Sequence, residues 1–176
     1  MPTLEEYDRA MKELKDSNDR TTAIVAATLL EAQLEAALMR RLLPMSNAHR
    51  DALFRDEYAY TFASKIDLGL SLGLYEQKTK TDCHRIKQIR NQFAHNLDRD
   101  FGHPKVSKAC QDLTNYDTTT PLSPEAMERL EDAARAIVQA REWRWRYVFA
   151  VIHIYTGLFK ETETIYLPPR PTVLKD

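Results

Sequence analysis

Residues 18–44 read NDRTTAIVAATLLEAQLEAALMRRLLP. Ile24, Ala27, Leu30, Leu34, Ala37, Leu38 and Leu42 recur every three or four residues, so they share one side of a helix of 3.6 residues per turn. Glu31 and Glu35 fall on the other side. Asn18 or Asp19 can cap the start, because a short polar side chain accepts from the free amides of the first turn. Pro44 ends the run, since proline lacks the amide and clashes with the preceding turn. The spacing predicts a long helix from about residue 19 to residue 43, and this is the strongest helical signal in the chain.

The composition agrees with it. The 176 residues include 20 leucines and 19 alanines against 6 valines and 8 isoleucines, with only 4 glycines. Alanine and leucine favour helices, while β-branched residues and frequent glycine turns favour sheets. An all-β sandwich or barrel is excluded, and an α/β fold with glycine-rich phosphate loops is disfavoured. The expected fold class is all-α: a single bundle of about six helices with a long C-terminal helix. Residues 1–160 form one helical domain and residues 161–176 a proline-containing tail.

Outward from residues 18–44, the other helices follow. Leu4, Tyr7, Met11 and Leu14 predict a first helix over 3–15. Residues 46–56 suggest a short one around Leu53 and Phe54. Phe62, Ile66 and Leu70 recur every four residues. Gly69 on that helix suggests a close contact, and Gly73 a C-terminal cap. Over 77–97, Ile86, Ile89, Phe93 and Leu97 share an apolar side, with His84, Gln88, Asn91 and His95 on a second stripe. Pro104 opens a short helix to about Leu113. A loop follows over 114–121. Ser123-Pro124 then starts a long helix reaching about residue 159.

The net charge is −1 and the pI near 6.5, which excludes a domain that coats nucleic acid by bulk charge. Cys83 and Cys110 make no disulfide framework, and no Cys-x-x-Cys pair offers a zinc site. No metal or other cofactor is expected. The acidic N-terminus is not a signal peptide, and no run approaches the 18 or so apolar residues of a membrane span. The expected location is the cytoplasm, without membrane contact.

Chemistry concentrates in residues 90–96, Arg-Asn-Gln-Phe-Ala-His-Asn. Asn91 and His95 are one turn apart and neighbour each other on the helix surface. Arg90 supplies a bidentate anion grip. His95 can give or take a proton near neutrality, and Asn91 can orient either group. The same residues have a structural reading: arginine and histidine near a helix C-terminus satisfy its last carbonyls, and Asn96 can stop the helix. Arg85 and Lys87 add basic charge on the same helix. A second basic stretch, Arg141-Glu-Trp-Arg-Trp-Arg-Tyr, offers Arg141, Arg144 and Arg146 between tryptophans that could stack bases. Its structural reading has the tryptophans inside and the arginine stems running outward. A helix-turn-helix over residues 62–90 has poor spacing.

The pattern Arg90-Asn91-x-Phe93-Ala94-His95 resembles the Arg-x4–6-His motif of the HEPN superfamily, small all-α proteins that include metal-independent ribonucleases. That resemblance implies that Arg90 holds the scissile phosphate. His95 would act as acid or base on the 2′-hydroxyl and the leaving oxygen, and Asn91 would support them. One histidine per chain then implies a homodimer. A longer stretch, about residues 19–113, resembles the mannitol operon repressor (MtlR-like) family. Three blocks carry it: Ala26-Ala-Thr-Leu-Leu-Glu-Ala-Gln-Leu-Glu, Phe62-Ala-Ser-Lys-Ile-Asp-Leu-Gly-Leu-Ser-Leu-Gly-Leu, and Ile86-Lys-Gln-Ile-Arg-Asn-Gln-Phe-Ala-His-Asn with the following Asp100-Phe-Gly-His-Pro-Lys-Val. That resemblance implies an all-helical bacterial protein of transcriptional repression. It would act by binding DNA, RNA or a partner regulatory protein rather than by catalysis.

Overall fold

The computed structural model describes residues 14, 17–42, 46, 48, 52, 61–115 and 143–164, the last four of these by backbone alone. Five helices are described: α1 (Asp19–Arg41), α2 (Phe62–Ser71), α3 (Gln77–His95), α4 (Pro104–Gln111) and α5 (Trp143–Thr164), with no strand among the described residues. The fold is all-α, as the composition requires. The helices expected over 3–15 and 46–56, the start of the long helix at residues 123–142, and the tail beyond residue 164 lie outside the described residues, Leu14, Ser46, Ala48 and Ala52 apart.

Helix α1 is the axis of the bundle. Asn18 caps it, its side chain accepting from the Thr21 amide at 2.9 Å. The apolar stripe buries Ala27, Leu30, Leu34, Ala37 and Leu38, and adds Ala23 and Ala26. Leu42 closes the helix in extended backbone, two residues before Pro44. Helix α5 runs along α1, with α2 and α3 on its other flanks and α4 bridging α3 and α5. Each fully buried leucine of this kind stabilises the fold by about 1.5–3 kcal/mol. Ile66, Ile86, Ile89, Phe93, Val106, Tyr147 and Val148 fill the space between the helices. By length and composition alone α1 is apolar enough to cross a membrane, where the sequence leads to no such run being expected. Half of its most apolar stretch is buried inside the bundle.

Local chemistry explains the joints. Helix α2 ends in a Schellman cap: Gly73, at φ 67°, donates to the Leu70 carbonyl, and Leu74 donates to the Gly69 carbonyl, both at 2.9 Å. Gly69 is small for another reason. Tyr75 lies against it, its hydroxyl donating to the Ile66 carbonyl at 2.7 Å, and a Cβ on residue 69 would fall 2.4 Å from that oxygen. Gly69→Ala is expected to push the tyrosine aside and cost about 1–3 kcal/mol, measured by urea denaturation. Tyr75→Phe should restore little of it.

Lys65, only 5% exposed, donates to Glu31 at 3.0 Å and Glu35 at 2.9 Å and so rivets α2 to α1. Burial alone would lower its pKa, but the bonds to Glu35 and Glu31 outweigh that and raise it above 10.5. A lysine whose folded pKa is raised contributes stability that is complete below 10.5 and is lost as pH climbs through the folded value. Lys65→Met is therefore expected to cost about 2 kcal/mol at neutral pH. The gap to the parent should close in denaturation curves taken above pH 10.5.

One helix boundary differs from the sequence reading. Leu97 was expected on the apolar side with Ile86, Ile89 and Phe93. Helix α3 stops at His95, Asn96 turns extended (φ −132°, ψ 117°), and Leu97 stands 88% exposed. The period of 3.6 ceases to apply once the helix has ended. Phe101 takes the expected place inside, 4.9 Å from the Phe93 ring and 5.5 Å from the Tyr147 ring.

Candidate functional site

Helix α3 turns one side to the core with Asp82, Cys83, Ile86, Ile89 and Phe93. On its other side Gln88 and His95 are exposed, and His84 and Asn91 are half-buried. The polar stripe thus lies toward solvent. Its upper end is tied to α2: Lys80 at 2.8 Å and His84 at 3.3 Å both reach Asp67 Oδ1. Chiefly through the Lys80 bond, they hold the Asp67 carboxyl below its usual range.

At the C-terminal end, Arg90 is half-buried and donates through Nη1 to Asn91 Oδ1 at 3.1 Å. Tyr147 lies close enough to feel its charge. Burial first, and Cys110 after it, push the tyrosine pKa well up, with Arg90 working against them. The Tyr147 hydroxyl donates to the Ala23 carbonyl at 2.7 Å. His95 sits one turn beyond Asn91 and is exposed. The structure therefore joins Arg90 to Asn91 and leaves His95 exposed one turn beyond Asn91. Lys87, half-buried, lies one turn before Asn91.

The turn that carries His95 is held from behind. Asn96 Nδ2 donates back to the Gln92 carbonyl at 2.9 Å, so Asn96 does stop the helix. Arg20, from the first turn of α1, donates to the Ala94 carbonyl at 3.2 Å and the Asn96 carbonyl at 3.3 Å. Its neighbour Asp19 accepts from the Phe101 amide at 3.1 Å. The sequence marks Asn18 or Asp19 only as a cap and gives Arg20 no role. Nothing in local spacing marks a contact across 74 to 76 positions.

The remaining basic residues have other partners. Arg85 donates at 2.8 Å to the buried Asp82. Arg144 donates to the carbonyls of Leu14 (2.8 Å) and Ser17 (2.6 Å) and to Asp19 (3.3 Å). Arg146 donates to the carbonyls of Gln111 (2.8 Å) and Leu113 (3.2 Å). These arginines bind backbone at the ends of neighbouring segments, with Trp143 and Trp145 half-buried beside them. Arg141 lies outside the described residues. Arg99 contacts His103 Nε2, while His103 caps α4 through Nδ1. Cys83 and Cys110 are buried, and burial pushes both thiols up to about 12, so neither is a thiolate nucleophile at neutral pH.

The fold defines the class of protein: a helical bundle built around one long apolar helix. The chain is similar to a chain in the X-ray structure of the MtlR–HPr complex from Escherichia coli, with a TM-score of 0.60 and 15% identity. The likeness spans 86% of this chain and 96% of that one. It establishes an MtlR-like fold. No family model matches the sequence, and no curated protein matches it.

Proposed function

We propose that this chain is a regulatory protein that acts by binding a protein partner, with the C-terminal half of α3 as its contact surface. The observation that carries this reading is the fold shared over 86% of the chain with a protein crystallised in complex with HPr. The surface itself supports it. Arg90 and Asn91 present paired polar groups, His95 is exposed beside them, and Leu97 stands 88% exposed two residues on. Arginine with adjacent apolar area is the usual anchor of a protein interface. The involvement of such a protein in transcriptional repression, and a cytoplasmic location, belong to the same proposal.

Calorimetric titration with HPr from the chain's own source tests it. The parent should bind, and Arg90→Ala and His95→Ala should each weaken binding about tenfold or more, as central interface residues do. Absence of binding by the folded parent would remove HPr as the partner.

A second reading rests on the Arg90–Asn91 bond with His95 one turn away. In two copies of the chain this set has the parts of a metal-independent ribonuclease. One His95 takes the proton of the 2′-hydroxyl, whose oxygen attacks phosphorus. The bond from phosphorus to the 5′-oxygen breaks, and the second His95 protonates that oxygen. A 2′,3′-cyclic phosphate remains. This reading requires a homodimer, which sedimentation analysis reads directly.

A further inference from the structure

We infer that Arg20 is a positioning residue for the His95 turn: from another helix it fixes the backbone on both sides of the histidine. The inference rests on the proposal that this turn is a contact surface. Its two bonds go to the carbonyls of residues 94 and 96, the residues flanking His95. A guanidinium is suited to this, because its fork meets two acceptors at once and its charge opposes the negative end of the helix dipole. Asn96 satisfies the carbonyl of residue 92. Two carbonyls of the last turn, those of Gln92 and Ala94, and the carbonyl of the capping Asn96 are thus engaged by protein donors, and fraying of that turn is opposed.

The base of the clamp is itself fixed. Asp19 holds the Phe101 amide with one carboxylate oxygen and Arg144 with the other. The first two residues of α1 therefore bind residues 94, 96 and 101, on either side of the exposed Leu97, Asp98 and Asp100. None of these bonds uses the His95 ring, which stays at the surface. The arrangement sets where the imidazole stands without touching it.

The test uses Arg20→Gln and Arg20→Lys in the full chain. Amide hydrogen exchange of residues 92–95 should quicken about tenfold in Arg20→Gln, the change that loss of an ordinary capping interaction gives. Exchange of residues 83–89 in the same helix should stay within about twofold. Arg20→Lys, with a single ammonium in place of the fork, should fall between. HPr affinity should drop about tenfold in Arg20→Gln, and adding His95→Ala to it should weaken binding no further than His95→Ala alone. A merely structural role would make the two losses add. Unchanged exchange at 92–95, exchange that rises equally along α3, or additive losses would each overturn the inference. If Arg20→Gln does not fold, Arg20→Lys is judged by the same criteria. If HPr does not bind the parent, the proposed contact surface falls, and the exchange data alone decide the role of Arg20.

Discussion

Asp82→Ala is expected to be among the most damaging single changes in the chain. Asp82 is fully buried, and its carboxylate organises the junction of α3 with the segment after α4. Oδ2 accepts from the Thr114 amide (2.7 Å) and hydroxyl (3.0 Å), and from the Asn115 amide (2.6 Å) and side chain (3.0 Å). Oδ1 accepts from Arg85. Removing the acceptor leaves buried donors and a cation without a partner, which costs about 3–5 kcal/mol. For a chain of this size that is a fall in Tm of roughly 10 °C. Asp82→Asn should recover little, since its amide nitrogen would face donors on one side or the other. Thermal unfolding of both variants checks this. A loss under about 1 kcal/mol for the asparagine variant would mean that the carboxylate does not organise the junction.

Leu30→Ala is expected to have a comparable effect by a different route. Leu30 is wholly buried in the middle of α1, the helix that α2, α3 and α5 all pack against. Its truncation removes the transfer free energy of the side chain and leaves a cavity that rigid neighbouring helices cannot close. Such changes cost about 3–5 kcal/mol. Leu29→Ala, one position around the same helix at the edge of the core, should cost clearly less. Urea denaturation of the pair separates core packing from helix propensity, because both substitutions change propensity equally.

Where a fold element was legible, one-dimensional periodicity carried it. The stripe from Ile24 to Leu42, the Asn18 cap, Pro104 at the start of α4 and Gly73 at the end of α2 all depend on residues within a few positions of one another. What local spacing leaves out is where helices end in the fold and which tertiary partners they meet. Leu97 fits the apolar period of α3 but falls after its end, and the buried aromatic there is Phe101. For Arg144 and Arg146 the spacing between tryptophans is legible, but the backbone carbonyls that their guanidiniums reach, at the ends of other segments, are not. Gln33 sits on the buried face of α1 with both amide atoms lacking a hydrogen-bond partner among the described residues. Its sequence neighbours give no physical reason for it.

The candidate site shows the same division. Asn91 and His95 could be picked from a helical wheel and Arg90 from the short motif around them, and the structure joins Arg90 to Asn91 and exposes His95. Arg20 could not, because its role depends on α1 beginning where α3 ends. The motif spells out the groups presented, while the clamp behind it comes only from the packing of the two helices.

On the proposed reading, residues 90–97 bind a partner and leave RNA uncut. Labelled RNA incubated with the purified chain in excess chelator, beside Arg90→Ala and His95→Ala, tests it most directly. The RNA is expected to stay intact with all three proteins. Cleavage by the parent to 2′,3′-cyclic phosphate ends, lost in both folded variants, would contradict it and make the same residues a ribonuclease site.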